Sequence, residues 1–281
     1  MSTTPPTAAK PTSSSTAPPA ATATATATPF KEQLLQLVKT AQFGLFVGHF
    51  STLFFTFLYF LTYTSSKTSY VHYYSYKLIY LSVIASFGNI LYQSVKCKVL
   101  NISDYNALLL DDNFHYIFIA ASLLLLLPPI TLAIIPFALY STFHTLSYIL
   151  ANILPIVPLN TDSIASRLSQ LVKNYHNTVI LYAANFEITT FLYILLRALL
   201  WSKGFWIGFV LYGLFIRLRF EKSIVTRSCF KNLEVKLDGL ASTSSVPPIV
   251  KKYWIDFKSL LKTYSKKFSL TTQIDESAKA Q

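Results

Sequence analysis

From Thr40 to Ser66 the chain carries no Asp, Glu, Lys or Arg, and its middle, Phe54-Phe55-Thr56-Phe57-Leu58-Tyr59-Phe60-Leu61, is almost continuously apolar. At about 1.5 Å per residue, about 20 such residues cross a hydrocarbon core of about 30 Å, so this run predicts a membrane span. Ahead of it, Phe30, Leu34, Leu35 and Val38 alternate with Lys31, Glu32 and Lys39, the pattern of a short interfacial helix. A second charge-free run, Leu78 to Val95, is interrupted by Ser82, Ser86, Asn89 and Gln93. Their spacing of four, three and four puts them on one helical face, directed at other spans rather than at lipid.

From Asn113 to Thr161 there are 49 residues without a charge, enough for two crossings. Pro128, Pro129 and Pro136 interrupt this run, and a hairpin bent at Pro128 has a first arm of about 15 residues, which either spans a thinned bilayer or lies short of the far side. Residues 161 to 175 then alternate Ile164, Leu168, Leu171, Val172 and Tyr175 with Arg167, Gln170, Lys173 and Asn174, which predicts an amphipathic helix lying on the membrane. The last apolar region, Thr178 to Ile216, contains Glu187, Arg197 and Lys203. Charges at mid-bilayer are costly, so either two short segments dip into the membrane with Lys203 near a turn, or Glu187 and Arg197 lie at opposite edges of one span; in both, the two charges are expected at the interfaces.

After Pro247-Pro248 the pattern changes again. At about 100° per residue, Ile249, Val250, Tyr253, Trp254, Phe257, Leu260, Leu261, Tyr264 and Phe268 fall within an arc of about 140°, with Trp254 expected near its middle. Lys251, Lys252, Lys258, Lys262 and Lys266 fall outside it. Such a helix is too polar to span and too apolar to stay solvated, which predicts binding in the headgroup region of anionic, curved membrane, each lysine adding about 1 kcal/mol. A groove on a protein partner, including an acidic import receptor, would fit the same face. Gly44 and Gly48, and Gly204 and Gly208, form two small-xxx-small pairs inside apolar segments, expected to pack helices within the chain before pairing copies of it.

Composition agrees with a bilayer protein: of 281 residues 52% are hydrophobic and only 13% charged, about half the charged share of ordinary soluble domains. The net charge of +12 suits an anionic partner. It is concentrated beyond Ile216, where thirteen lysines and arginines face six acidic residues, so the positive-inside rule assigns that end to the cytosol. An even number of crossings brings the N-terminal end to the same side. Residues 1 to 29, Thr/Ala/Pro/Ser-rich, hold no core-forming residue and are expected to be disordered, as are residues 271 to 281. Between these tails the organisation expected is a helical membrane domain over 30 to 216, a basic cytosolic juxtamembrane segment over 217 to 245, and the amphipathic helix over 246 to 270.

No chemistry-bearing motif emerges. Seven glycines form neither a G-x-G-x-x-G nor a P-loop, the five histidines lack metal-ligand spacing, and Cys97 and Cys229 build no disulfide scaffold. No catalytic, cofactor or metal residue is therefore assigned, and a non-enzyme is expected. A small ER transporter or channel is the competing class. Its support is the Ser82-Ser86-Asn89-Gln93 stripe with Glu187 and Arg197.

Three stretches carry a resemblance: Pro136-Phe137-Ala138-Leu139-Tyr140-Ser141-Thr142-Phe143-His144, Asn185-Phe186-Glu187-Ile188, and Phe215-Ile216-Arg217-Leu218-Arg219-Phe220 followed by Arg227. In this order they resemble the transmembrane protein 33 family, also called Krueppel homologue 2, in its fungal pore-membrane and perinuclear ER form, over residues 30 to 235. The resemblance implies an ER and nuclear-envelope protein working with reticulon-like shaping proteins and nuclear pore components, with a tail helix that binds membrane and a nuclear import receptor. The fold class expected is all-α, a polytopic integral membrane protein with four to six membrane-embedded helical segments plus interfacial amphipathic helices.

Overall fold

The computed structural model describes residues 30–64, 69–157, 161–243 and 246–267; the expected disordered tails and Phe268 lie outside them. Described residues form helices and connecting turns, with no strand among them. Helix α1 (Phe30–Val38) leads into α2 (Ala41–Leu61), where Thr40 caps the start by accepting from Phe43 N. Helix α3 (Ser69–Lys96) returns beside α2, and a short α4 (Tyr105–Leu109) precedes α5 (Asp112–Leu125). Among the described residues four helical stretches are long and apolar enough to cross a membrane: Ala41–Leu61, Tyr70–Lys96, Thr131–Ile156 and Asp162–Leu199. The chain is thus a polytopic all-α membrane protein.

Prolines shape the second hairpin as backbone chemistry requires. Helix α5 has 14 residues and stops before Pro128-Pro129, so its arm spans about 21 Å. Pro136 interrupts nothing, because it occupies the first turn of α6 (Ile134–Tyr148), where a missing N–H has no helical acceptor to lose. Pro155 ends the other side: α6 loosens into a π turn over Ile149–Ile153 and a 3-10 turn over Leu154–Ile156.

Helix α7 (Asp162–Leu199) is one uninterrupted rod of 38 residues, about 57 Å long. This corrects the expectation of a separate surface helix over 161–175. No Gly or Pro lies between Asp162 and Leu199, so nothing stops the amphipathic stretch from continuing into the apolar one. Helix α8 (Phe205–Lys222) runs back along α7, and α9 (Ile224–Ser242) starts at Ser223, whose side chain accepts from Thr226 N. The basic segment over 217 to 245 is thus mostly helical, in the end of α8 and in α9. Helix α10 (Pro248–Lys267) closes the described chain.

The helices α2, α3, α5, α6, α7 and α8 alternate in direction, so α1 and α9 emerge at one end of the bundle. The core is a tyrosine-rich layer in which Tyr76, Ile79 and Tyr80 of α3 meet Ile119 and Leu123 of α5, Phe137 of α6, Ile194 of α7 and Phe215 of α8.

Candidate functional site: a clamped tail helix on an ionically braced bundle

At the base of the tail lies a buried polar cluster. Glu187 on α7 is 1% exposed, and its carboxylate accepts from the Tyr116 hydroxyl of α5 at 3.0 Å and the Tyr140 hydroxyl of α6 at 3.4 Å. Arg219 on α8 brings its Nε to 3.5 Å from Glu187 Oε2, donates from Nη1 to Asp112 Oδ1 at 2.7 Å, and lies over the Tyr116 ring at 5.0 Å. Four helices are tied at one point. Glu187 is thus buried in protein beside the Asp112–Arg219 pair, where Arg219 and two phenols supply the partners that water would supply at a surface. Arg197 does lie at an end, in the last turn of α7, its guanidinium 4.9 Å from the Phe205 ring. Composition gave no hint that Asp112, Tyr116 and Arg219 belong together. Each of the three family-like stretches nevertheless contributes one member of the cluster: Tyr140, Glu187 and Arg219.

Helix α9 docks on α7 beside this cluster, where Cys229, Val225 and Leu233 pack against Ala184 and Ile188. Its other face carries Glu234 and Asp238, which hold α10. Trp254 Nε1 donates to Asp238 Oδ1 at 2.6 Å, as does Lys258 Nζ at 2.6 Å, and Lys262 Nζ donates to Glu234 at 3.0 Å. Lys251 Nζ donates to the Ser242 carbonyl at 3.4 Å. Hydrogen bonds from Lys258 and Trp254 hold the Asp238 carboxyl below the usual carboxylate range, and Asp238 in turn raises the Lys258 ammonium. Trp254 thus stands at the edge of the apolar arc, facing α9, and not near its middle. The clamp uses the polar side of α10. Val250, Tyr253, Phe257, Leu260, Leu261 and Tyr264 are left exposed, with Ile249 beside them and Lys252 on the outer polar side. The side chain of Lys266 lies outside the described residues.

Both glycine pairs lie at intramolecular contacts. A Cβ on Gly48 would collide with Ser86 Oγ of α3, and one on Gly44 would stand 3.4 Å from Asn89 Nδ2. Gly208 faces Leu127 at 3.3 Å and Ile194 at 3.4 Å, while Gly204 adopts φ +81° before α8, a conformation that favours glycine. The polar stripe of α3 is consumed by the same packing: Ser86 donates to the Ser82 carbonyl, Asn89 to the Ala41 carbonyl and Gln93 to Asn89. Asp111 caps α5 by accepting from Asn113 N and Phe114 N. Among the described residues no three His, Cys, Asp or Glu side chains converge as metal ligands.

The family model for transmembrane protein 33/nucleoporin POM33 matches residues 25–266. The chain belongs to this family. Within the POM33 family, a Chaetomium thermophilum protein named nucleoporin POM33 is 29% identical, the match covering 88% of this chain and 92% of that one. The pore membrane protein of 33 kDa of Saccharomyces cerevisiae is also 29% identical, over 82% of this chain and 85% of its own. The tetra-spanning protein 1 of Schizosaccharomyces pombe is 30% identical, over 85% and 88% respectively. No solved structure matches the chain.

Proposed function

We propose that this POM33-family chain is a non-enzymatic protein of the ER and nuclear-envelope membrane that contributes to membrane curvature and to nuclear pore assembly or distribution, with both ends of its membrane domain on the cytosolic side. One observation carries the membrane part of this reading. Helix α10 is clamped by its lysines and Trp254 while its apolar face is turned outward, so it is held ready for a lipid surface and not folded onto its own protein. Inserting that face among cytosolic headgroups adds area to one leaflet only, which bends the membrane. The pore part is supported by the names of the relatives, two of which call those proteins a nucleoporin and a pore membrane protein. Partners on this reading are anionic, curved lipid, pore components or reticulon-like proteins, and a nuclear import receptor.

The test is a fluorescent fusion of the full chain in cells lacking the endogenous copy. Wild type is expected at the nuclear rim with evenly spread pores. Leu260→Asp with Leu261→Asp places charge in the exposed arc and is expected to lower rim enrichment and cluster the pores. Unchanged pore distribution on complete deletion rejects the pore role. Rim binding that survives the double substitution, and is instead lost with an import receptor, moves α10 to the partner-groove reading.

A further inference from the structure

The second and third hairpins of the bundle each have one short arm, α5 and α8, with charged groups fixed near both of its ends, and these measure the membrane they fit. At one end lie Asp112 and Arg219, paired at 2.7 Å. At the other, Lys77 Nζ donates to the Leu124 carbonyl near the tip of α5, while Arg197 and Lys203 flank the turn between α7 and α8. The two tips are adjacent, since Gly204 lies against Pro128. Along α5, Asp112 and Leu124 are twelve residues apart, about 18 Å at about 1.5 Å per residue. From the start of α8 at Phe205, two residues after Lys203, to Arg217 is twelve residues, about 18 Å at the same rise. A hydrocarbon core is about 30 Å thick.

The first hairpin is different. Helix α2 presents Phe50, Phe54, Phe57, Phe60 and Leu61 outward along its length, and its 21 residues reach about 31 Å. One side of the bundle is therefore matched to a full bilayer and the other is short by about 10 Å.

A short hairpin has two ways to sit in lipid: its tip stays buried in the far leaflet, or the bilayer thins to meet it. A buried tip would hold the charges of Arg197 and Lys203 in hydrocarbon, which lipid cannot solvate. The tip also displays Trp201, 81% exposed, and Trp206, 44% exposed, with ring centroids 5.7 Å apart, side chains suited to the headgroup boundary. We infer that the hairpins α5–α6 and α7–α8 seat in, and locally impose, a thinned bilayer about 20 Å across its hydrocarbon, with Arg197, Trp201, Lys203 and Trp206 at its far interface. The inference requires that the chain span the membrane and is independent of the curvature and pore roles proposed above.

The test is depth-resolved quenching of the reconstituted full chain carrying Trp254→Phe, which leaves Trp201 and Trp206 as the only tryptophans. In fluid 18-carbon phosphatidylcholine, lipids brominated at chain positions 6 and 7 are expected to quench at least about twofold more than lipids brominated at 11 and 12. The reverse order places the tip in hydrocarbon and overturns the inference. Unsubstituted protein supplies a second arm: its thermal unfolding midpoint is expected to be higher in 14-carbon than in 22-carbon monounsaturated phosphatidylcholine. Arg197→Leu with Lys203→Leu is expected to move that optimum toward longer chains. A midpoint that rises steadily from 14 to 22 carbons also overturns it.

Discussion

Arg219 is the residue on which the polar core converges, and its surroundings set the cost of removing it. Glu187 is sealed among helices, so Arg219→Met leaves a buried carboxylate facing two phenols and no cation. Breaking a buried pair in this way costs on the order of 3–5 kcal/mol, whereas removing both partners costs far less. Arg219→Met is therefore expected to lower the melting temperature in detergent sharply, and adding Glu187→Gln should restore most of the loss. Equal melting temperatures for wild type and Arg219→Met would show that the pair carries no stability. Glycines separate in the same way. Gly48→Ala meets Ser86 across the α2–α3 contact and is expected to destabilise by about 1–3 kcal/mol, while Gly239→Ala on α9 meets no atom and is expected to gain up to about 1 kcal/mol of helix propensity. Thermal unfolding of the two variants in detergent checks both signs.

Among the elements, the α9–α10 clamp has a defined pH window. Asp238 is held below the usual carboxylate range, so its contribution is complete above that range and disappears as pH falls through the lowered value. Lys258 is raised, so its contribution is complete below the ordinary lysine value and lost as pH rises past the folded one. Facing groups that share the contact are Glu234, Lys262, Lys251 and Trp254. Trp254 fluorescence should therefore be constant around neutrality and change on acidification, and Asp238→Asn should remove the acid transition; an identical transition in Asp238→Asn would assign it elsewhere. Most elements were legible because apolar runs, prolines and the period of the tail pattern report directly on local structure. Helix α10 and the short arm of α5 are of this kind. The clamp and the ionic cluster were not, because Asp238 meets Lys258 across 20 residues and Asp112 meets Arg219 across 107, and no local pattern encodes such a pairing. Glu187, alone in an apolar run, reads as a residue needing water, because its partners Tyr116, Tyr140 and Arg219 all come from other helices.

For the whole molecule, topology is the property open to the simplest chemistry. Cys97 is exposed just beyond α3, at the end of the bundle where α1 and α9 emerge, and Cys229 is buried against α7, where burial raises its thiol. On the proposed orientation, a membrane-impermeant maleimide added to sealed ER vesicles with their cytosolic face outward should label Cys97 quickly and leave Cys229 unreacted until the protein unfolds. Asn101, which begins the sequon Asn101-Ile102-Ser103 in the same exposed connection, should carry no glycan. Glycosidase-sensitive mobility assigned to Asn101 would invert the orientation. The unbroken length of α7 has a mechanical consequence. A rod of about 57 Å that pivots by about 10° sweeps one end past the other by about 10 Å. Leu199 stands at the membrane tip, Asp162 at the opposite end, and α9 grips the rod between them at Ala184 and Ile188. Any tilt that displaces Leu199 is therefore matched by an opposite displacement of Asp162, on the far side of the point where α9 packs.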